Sequence, residues 1–353
     1  MFRTIERVFL PPWQSVLNAF LALPSSTPLQ VAYYRSTTFK RALQRLLPLH
    51  DACLAHLIRT ADYLRGATTP CVLEMTDAIS LNYARVKLHA RTRCFRSLVY
   101  SCEAGRLLRY ERQLLREFPL VSLVSHVDRD YLLDGQEGDL RKRVLVCSNG
   151  VDLAALPFAP DFREPVLAFI GNMTTLQNLD ACQHFIEDIL PVILARRPVV
   201  FRIVGRIKDT DAQRLRRYPR VEVAGSVTSI AHAVAGARAG LCPIRLGAGV
   251  QNKVLEYMAL GLPVITSSIG LEGLSAVPGR DLLVANTPTE YADNVDKLWN
   301  DPPWALSIAT AGRRYVERHH QWGASIAPLK DKLAKLVSHF HAEKIALADH
   351  RAA

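Results

Sequence analysis

In the second half of the chain, apolar residues fall into short blocks at 166–170, 199–204, 221–224, 239–243, 262–266 and 282–285. Each block has the length of a buried strand. Between most of them, as at 179–195 and 230–237, apolar residues recur at helical spacing. Strands alternating with helices predict a parallel sheet covered on both faces. Helices at 291–299 and 305–318 follow, and the tail from 343 is expected to fray. The first half is less regular. The spacing predicts helices at 39–47 and 52–64, strands at 70–75, 120–124 and 144–147, and a long helical region ending at 116. Residues 156–165 hold three prolines and read as a linker. Near the start, the apolar run 16–23 imitates a secretory leader. Glu6, Pro11, Pro12 and Asn18 interrupt that pattern and favour an amphipathic or core helix.

One stretch, 241–270, packs a strand, a glycine-bearing turn, a helix and a second strand into thirty residues. Gly247 and Gly249 let the turn backbone approach a ligand closely. Residues 251–260 have helical spacing, Gly261 suits the helix end, and Pro263 stands just beyond it. This is a βαβ unit whose turn lies at the carboxyl end of its first strand, where open parallel sheets bind ligands. The turn leads into a helix N-terminus, which offers unpaired N–H groups to an anion. Lys253 and Glu256 stand three residues apart on one face. They suit a diphosphate and its ribose; from spacing alone they also read as solvated charges on an ordinary helix, where such pairs are common.

The segment QNKVLEYMALGLPVITSS, starting at Gln251, resembles the signature of family-4 retaining glycosyltransferases, and most closely the exosortase-associated transferases of exopolysaccharide gene clusters. The SNGVD segment at 148–152 resembles the family's domain crossover, and Trp322 matches a tryptophan often found in its final helix. The resemblance implies an α/β fold of two Rossmann-like domains, the glycosyltransferase B fold. Its domains would be an acceptor-side domain at 1–150, a nucleotide-sugar domain at 151–322, and a C-terminal helix and tail at 323–353 returning to the first domain. Only 32 residues precede the family-like YYRS segment, and the usual opening strand, glycine turn and helix are missing. The N-terminal domain is therefore expected to be incomplete.

By position, the resemblance gives Glu256 the donor ribose and places Lys253 at the phosphates, with Gln251, Asn252, Gly247 and Gly249 beside them. Arg206 stands where relatives contact the diphosphate, and Gly171, Asn172 and Asn178 follow the first strand of the second domain. Gly225 and Val227 belong to a turn whose backbone meets the nucleobase in relatives. Asp77, after the 70–75 strand, is a candidate for acceptor or donor-sugar contact, or for capping a helix. Relatives often carry a glutamate eight positions before the ribose glutamate, and here that position is Ala248. The implied chemistry uses Lys253, Arg206 and Asp77 without a cofactor or metal, the donor being a nucleoside-diphosphate sugar. The acceptor would be a glycan or a lipid-linked acceptor. Two other readings stay open: a non-catalytic homologue that binds nucleotide sugar or a partner, and a nucleotide-sugar epimerase of the same fold.

Composition narrows the field further. The chain has 353 residues, a hydrophobic content of 49% and a net charge of +11. It is long enough for two domains, and no apolar run approaches the ~20 residues of a membrane-spanning helix. Seven scattered cysteines, with no Cys-x-x-Cys pair, argue against a disulfide framework and fit a reducing cytoplasm. The charge suits anionic partners. Seven arginines between 91 and 116, and a basic run at 313–320, suit peripheral docking on an anionic membrane, such as the inner face of the plasma membrane. No nucleic-acid-reading motif is present, so nucleic acid is not an expected partner. Two Asp-x-Asp triplets, at 128–130 and 209–211, sit where helices should begin, where acidic residues are favoured without any metal.

Overall fold

The computed structural model describes residues 3–89, 95–136 and 138–352. Arg91 and Arg93 of the arginine-rich stretch lie outside the described residues. The chain divides into two compact units, Met1–Cys147 with Ile326–Ala353, and Ser148–Ser325.

The first unit holds a four-stranded parallel sheet of β1 (Cys53–His56), β2 (Cys71–Thr76), β3 (Leu120–Leu123) and β4 (Val144–Val146), in that spatial order. Leu73, Met75, Leu107, Leu114 and Leu123 are fully buried at its core. Helices Ile79–His89 and Phe95–Glu117 join β2 to β3. Strand β1 corrects the helix expected at 52–64. Cys53 to His56 pair in parallel with Cys71 to Glu74, and only a short helix, Ile58–Ala61, follows. Apolar residues at close spacing suit either element; what decides here is the free edge of β2. The tail expected to fray beyond 343 instead belongs to one helix, Trp322–Ala352.

The second unit is a six-stranded, fully parallel sheet. Its strands are β5 (Val166–Ile170), β6 (Val200–Val204), β7 (Val221–Gly225), β8 (Ala239–Cys242), β9 (Val264–Thr266) and β10 (Leu283–Val284). Their spatial order is β10-β9-β8-β5-β6-β7, the doubly wound arrangement in which the order reverses between the first and fourth strands. Strands β5, β8 and β9 are buried along their whole length, hence their continuous apolar runs. Residues 156–165 have no regular structure but are anchored. Ala159 N–H donates to the Leu260 carbonyl at 3.2 Å and Glu164 N–H to that of Gly236 at 2.8 Å. The crossover segment is tied down too. Val151 N–H donates to the His320 carbonyl at 2.8 Å, and a Cβ on Gly150 would sit 2.7 Å from the Trp322 nitrogen.

Candidate functional site: a buried lysine at the strand-order reversal

The second unit's ligand crevice should lie beyond the carboxyl ends of β5 and β8, and most of the expected residues stand there. Helix Asn252–Leu260 follows the glycine turn and ends at Gly261, which adopts a left-handed conformation with φ of 80°. No side chain caps its start at Gln251. The Val254 amide donates to the Gln251 carbonyl at 2.9 Å, and the Asn252 and Lys253 amides make no hydrogen bond among the described residues and remain donors. Gly249 also has a left-handed φ, 68°.

Lys253 is only 8% exposed, and its Nζ donates to Asn178 Oδ1 at 2.9 Å and to Gln251 Oε1 at 3.4 Å. It also stands 5.2 Å from the Phe169 ring centroid, within reach of a cation–π attraction. Among the described residues no carboxylate lies within ion-pair distance of that ammonium. A buried cation surrounded by neutral acceptors is costly without an anion. Glu256 lies one turn deeper and is half-buried; burial raises its carboxyl above the usual range, and Lys253 opposes that rise. The lysine and glutamate therefore form no solvated surface pair.

The loop after β5 supplies the other wall. Asn178 Nδ2 donates to the Asn172 carbonyl at 3.0 Å while its oxygen receives Lys253. Asn172 Oδ1 accepts from Thr174 N–H at 3.1 Å and from its hydroxyl at 2.8 Å, so this asparagine shapes the turn. A Cβ on Gly171 would meet the Asn178 amide at 3.0 Å. Gly205, after β6, is more constrained: its φ is +129° and a Cβ would fall 1.9 Å from the Gly171 carbonyl oxygen. Arg206 is exposed. Its carbonyl accepts Met173 N–H at 2.8 Å, tying the β5 and β6 loops together, and its guanidinium makes no hydrogen bond among the described residues. Gly225 has φ +75° with open space at its Cβ position, and its carbonyl accepts Gly205 N–H at 2.7 Å. Val227 is exposed. Asn252 Oδ1 accepts from Asn149 Nδ2 at 2.7 Å, joining the crossover segment to the helix start.

Asp77 belongs to the other unit and stands apart from this list. It follows Thr76, a β-branched residue at φ +67°, a conformation that stores strain. Burial, then the charges of Asp128 and Glu74, push its carboxyl up to about 6, against a pull from Arg59. The capping alternative for Asp77 is corrected. The Ala78 amide donates to Asp128 at 2.9 Å and the Ile79 amide to Glu111 at 2.8 Å. The 209–211 triplet lies in the first turn of helix Asp209–Leu215, whereas of the 128–130 triplet only Asp128 lies in the first turn of its helix, His126–Leu133.

Two supports escaped the sequence reading. The Tyr257 hydroxyl donates to the Ala168 carbonyl at 3.1 Å and accepts the Ile170 amide at 2.6 Å, while its ring fills the space a Cβ on Gly240 would need. Arg245 pairs with both oxygens of Asp180, at 2.7 and 3.1 Å, and braces the glycine turn against the Leu176–His184 helix. A buried tyrosine on a helix reads as generic core, and the pair is 65 residues apart, so only the fold brings it together.

Taken together, the second unit is a Rossmann-like unit with the buried Lys253 ammonium at its order reversal. Residues 164–301 match the family model described as Glycosyl transferases group 1. Two solved structures share the fold, which is the glycosyltransferase B type with two Rossmann-like domains. Anabaena Alr3699/HepE in complex with UDP aligns with a TM-score of 0.64 at 16% identity, over 84% of this chain and 81% of that one. Sucrose-phosphate synthase from Thermosynechococcus elongatus aligns with a TM-score of 0.70 at 16% identity, over 85% and 78%. An uncharacterised 44.6 kDa protein in the cps region of Klebsiella pneumoniae is 24% identical over 136 residues, 36% of this chain. The match spans only 35% of that relative's length.

Proposed function

We propose that the chain is a retaining glycosyltransferase of family 4, moving a sugar from a nucleoside-diphosphate donor to a glycan or lipid-linked acceptor in exopolysaccharide or cell-surface polysaccharide synthesis. The observation that carries this reading is the buried Lys253 ammonium, held by neutral partners at an uncapped helix start. A diphosphate there would supply the missing negative charge. The group 1 family match, the UDP and UDP-glucose complexes of HepE and the cps-region relative support it.

In this reading the donor's glycosidic bond breaks as charge builds on the leaving diphosphate. Lys253, the first amides of the Asn252–Leu260 helix and the Gly247–Gly249 backbone stabilise that charge more than they stabilise the ground state. Arg206, exposed at the end of β6, can turn onto the same phosphates. Glu256 accepts from the two ribose hydroxyls. Asp77, in the first unit, is the candidate for acceptor contact. No cofactor or metal is invoked.

Calorimetric titration with UDP-, GDP- and ADP-sugars, followed by donor-consumption assays, tests the proposal. One nucleotide series is expected to bind, and Glu256→Ala to weaken it without unfolding the protein. Absence of binding by all three series would remove the donor site. Product of inverted anomeric configuration, read by NMR, would remove the retaining mechanism alone.

A further inference from the structure

Helix Pro12–Leu21 is turned inside out. Trp13, Val16, Leu17, Phe20 and Leu21 recur at the spacing of one helical face, and all five are exposed, Trp13 by 67% and Phe20 by 66%. The inward positions are polar or small: Ser15 and Ala22 are buried, and Asn18 Nδ2 donates to the Arg35 carbonyl at 2.8 Å. A helix packed on a globular core normally shows the opposite arrangement. The apolar surface continues on both sides, through Phe9, 81% exposed, and Leu23. An exposed patch this continuous marks an interaction surface rather than scattered surface leucines.

We propose that this face docks the protein onto an anionic phospholipid bilayer, with the helix lying in the headgroup–acyl boundary. Aromatic and aliphatic residues along one face, with basic residues around it, are the composition of an interfacial helix. The charge is complementary. Residues 1–50 carry six arginines and lysines and one acidic residue, Glu6. Arg45 already pairs with both of its oxygens at 2.7 Å. Just past the helix, Ser26, Thr27, Arg35, Arg65, Arg109 and Asp62 line an open pocket of about 570 Å³. Asp62 pairs there with Arg35 at 3.1 Å and Arg65 at 3.2 Å, which leaves Arg109, without an ion pair among the described residues, to meet a lipid phosphate. Ten residues are too few to cross a bilayer, so the helix lies along it. The same surplus of positive charge opposes a second copy as the occupant, because two such surfaces would repel.

The test is vesicle co-sedimentation of the full chain. Vesicles of phosphatidylglycerol mixed with phosphatidylcholine are compared with pure phosphatidylcholine, at low and high salt. Binding is expected to the anionic vesicles and to weaken with salt. Trp13→Ala with Phe20→Ala should lower the partition coefficient at least about 10-fold, with an unchanged circular dichroism spectrum. Val16→Ser with Leu17→Ser, on the same face, should do likewise. Equal sedimentation of parent and variants, or no sedimentation of the parent, would overturn the proposal. So would a dimer in sedimentation equilibrium that both variants convert to monomer, since that result assigns the face to a second copy.

Discussion

Replacing Lys253 with methionine separates the proposed role of this side chain from a structural one, because affinity should fall while stability holds or rises. In the free protein the ammonium is 8% exposed and, among the described residues, bonded only to the neutral oxygens of Asn178 and Gln251. Methionine keeps most of the volume and the contact with Phe169 while removing the cost of a buried charge. The lost hydrogen bond to Asn178 is worth about 1 kcal/mol, and the relieved desolvation offsets it. The folding free energy should therefore change by less than about 1 kcal/mol, or rise. With a diphosphate bound, the same substitution leaves buried negative charge without its partner. Such truncations cost about 2–4 kcal/mol, or roughly 30- to 1000-fold in Kd. Titration calorimetry with UDP reads the affinity, and urea unfolding without ligand reads the stability. Asn178→Ala supplies the control. It should weaken UDP binding in the parent by about 1 kcal/mol and have little effect once Lys253 is methionine, since its action runs through the ammonium. Unchanged UDP affinity in Lys253→Met would refute the reasoning. So would an affinity loss matched by an equal loss of stability, which would make the lysine a packing element.

Two further outcomes follow from the geometry. Gly205→Ala should cost more than about 3 kcal/mol in urea unfolding, because its Cβ would collide with the Gly171 carbonyl at a φ of +129°; a midpoint equal to the parent's would show that the two loops separate freely. Asp77 has its carboxyl raised from 3.8 to about 6, so the folded state disfavours the ionised form. Its penalty is absent below the lower value, grows as pH rises between the two, and is complete above about 6. Asp77→Asn should therefore stabilise the protein by about 1–3 kcal/mol near pH 7.5 and by little near pH 4. Equal effects at both pH values would remove the assignment.

The fold was legible where burial is complete. Strands β5, β8 and β9 are covered on both faces, so their sequences are apolar throughout and nearly every boundary fell within two residues. Strand β1 was missed for the converse reason. At the edge of its sheet Leu54 is 49% exposed and only Ala55 is fully buried, so no alternation and no apolar block marks it. The 179–195 helix was legible as one element, but in the structure a wide π-type turn at Phe185–Ile189 interrupts it just before Pro191, which has no amide to donate.

At the candidate site, glycine spacing and the Lys253–Glu256 pair could be read directly, whereas the way the helix is fixed could not. A cradle for a charged ligand is effective only if its donors are held before the ligand arrives. That task falls to Tyr257, one residue beyond Glu256. Its ring lies over Gly240 and its hydroxyl bridges the backbone of β5, so the helix carrying Lys253 is bonded to the two strands that flank the order reversal. Gly240 is then a glycine for its lack of a side chain, a requirement set by a residue 17 positions later. The inverted N-terminal helix was hidden for a related reason. The sequence displays its apolar stripe plainly, yet a stripe shows only which face avoids water, and whether protein or lipid covers it depends on what the opposite face already holds. Here Asn18 and Ser15 occupy the inward side, which leaves the stripe facing outward.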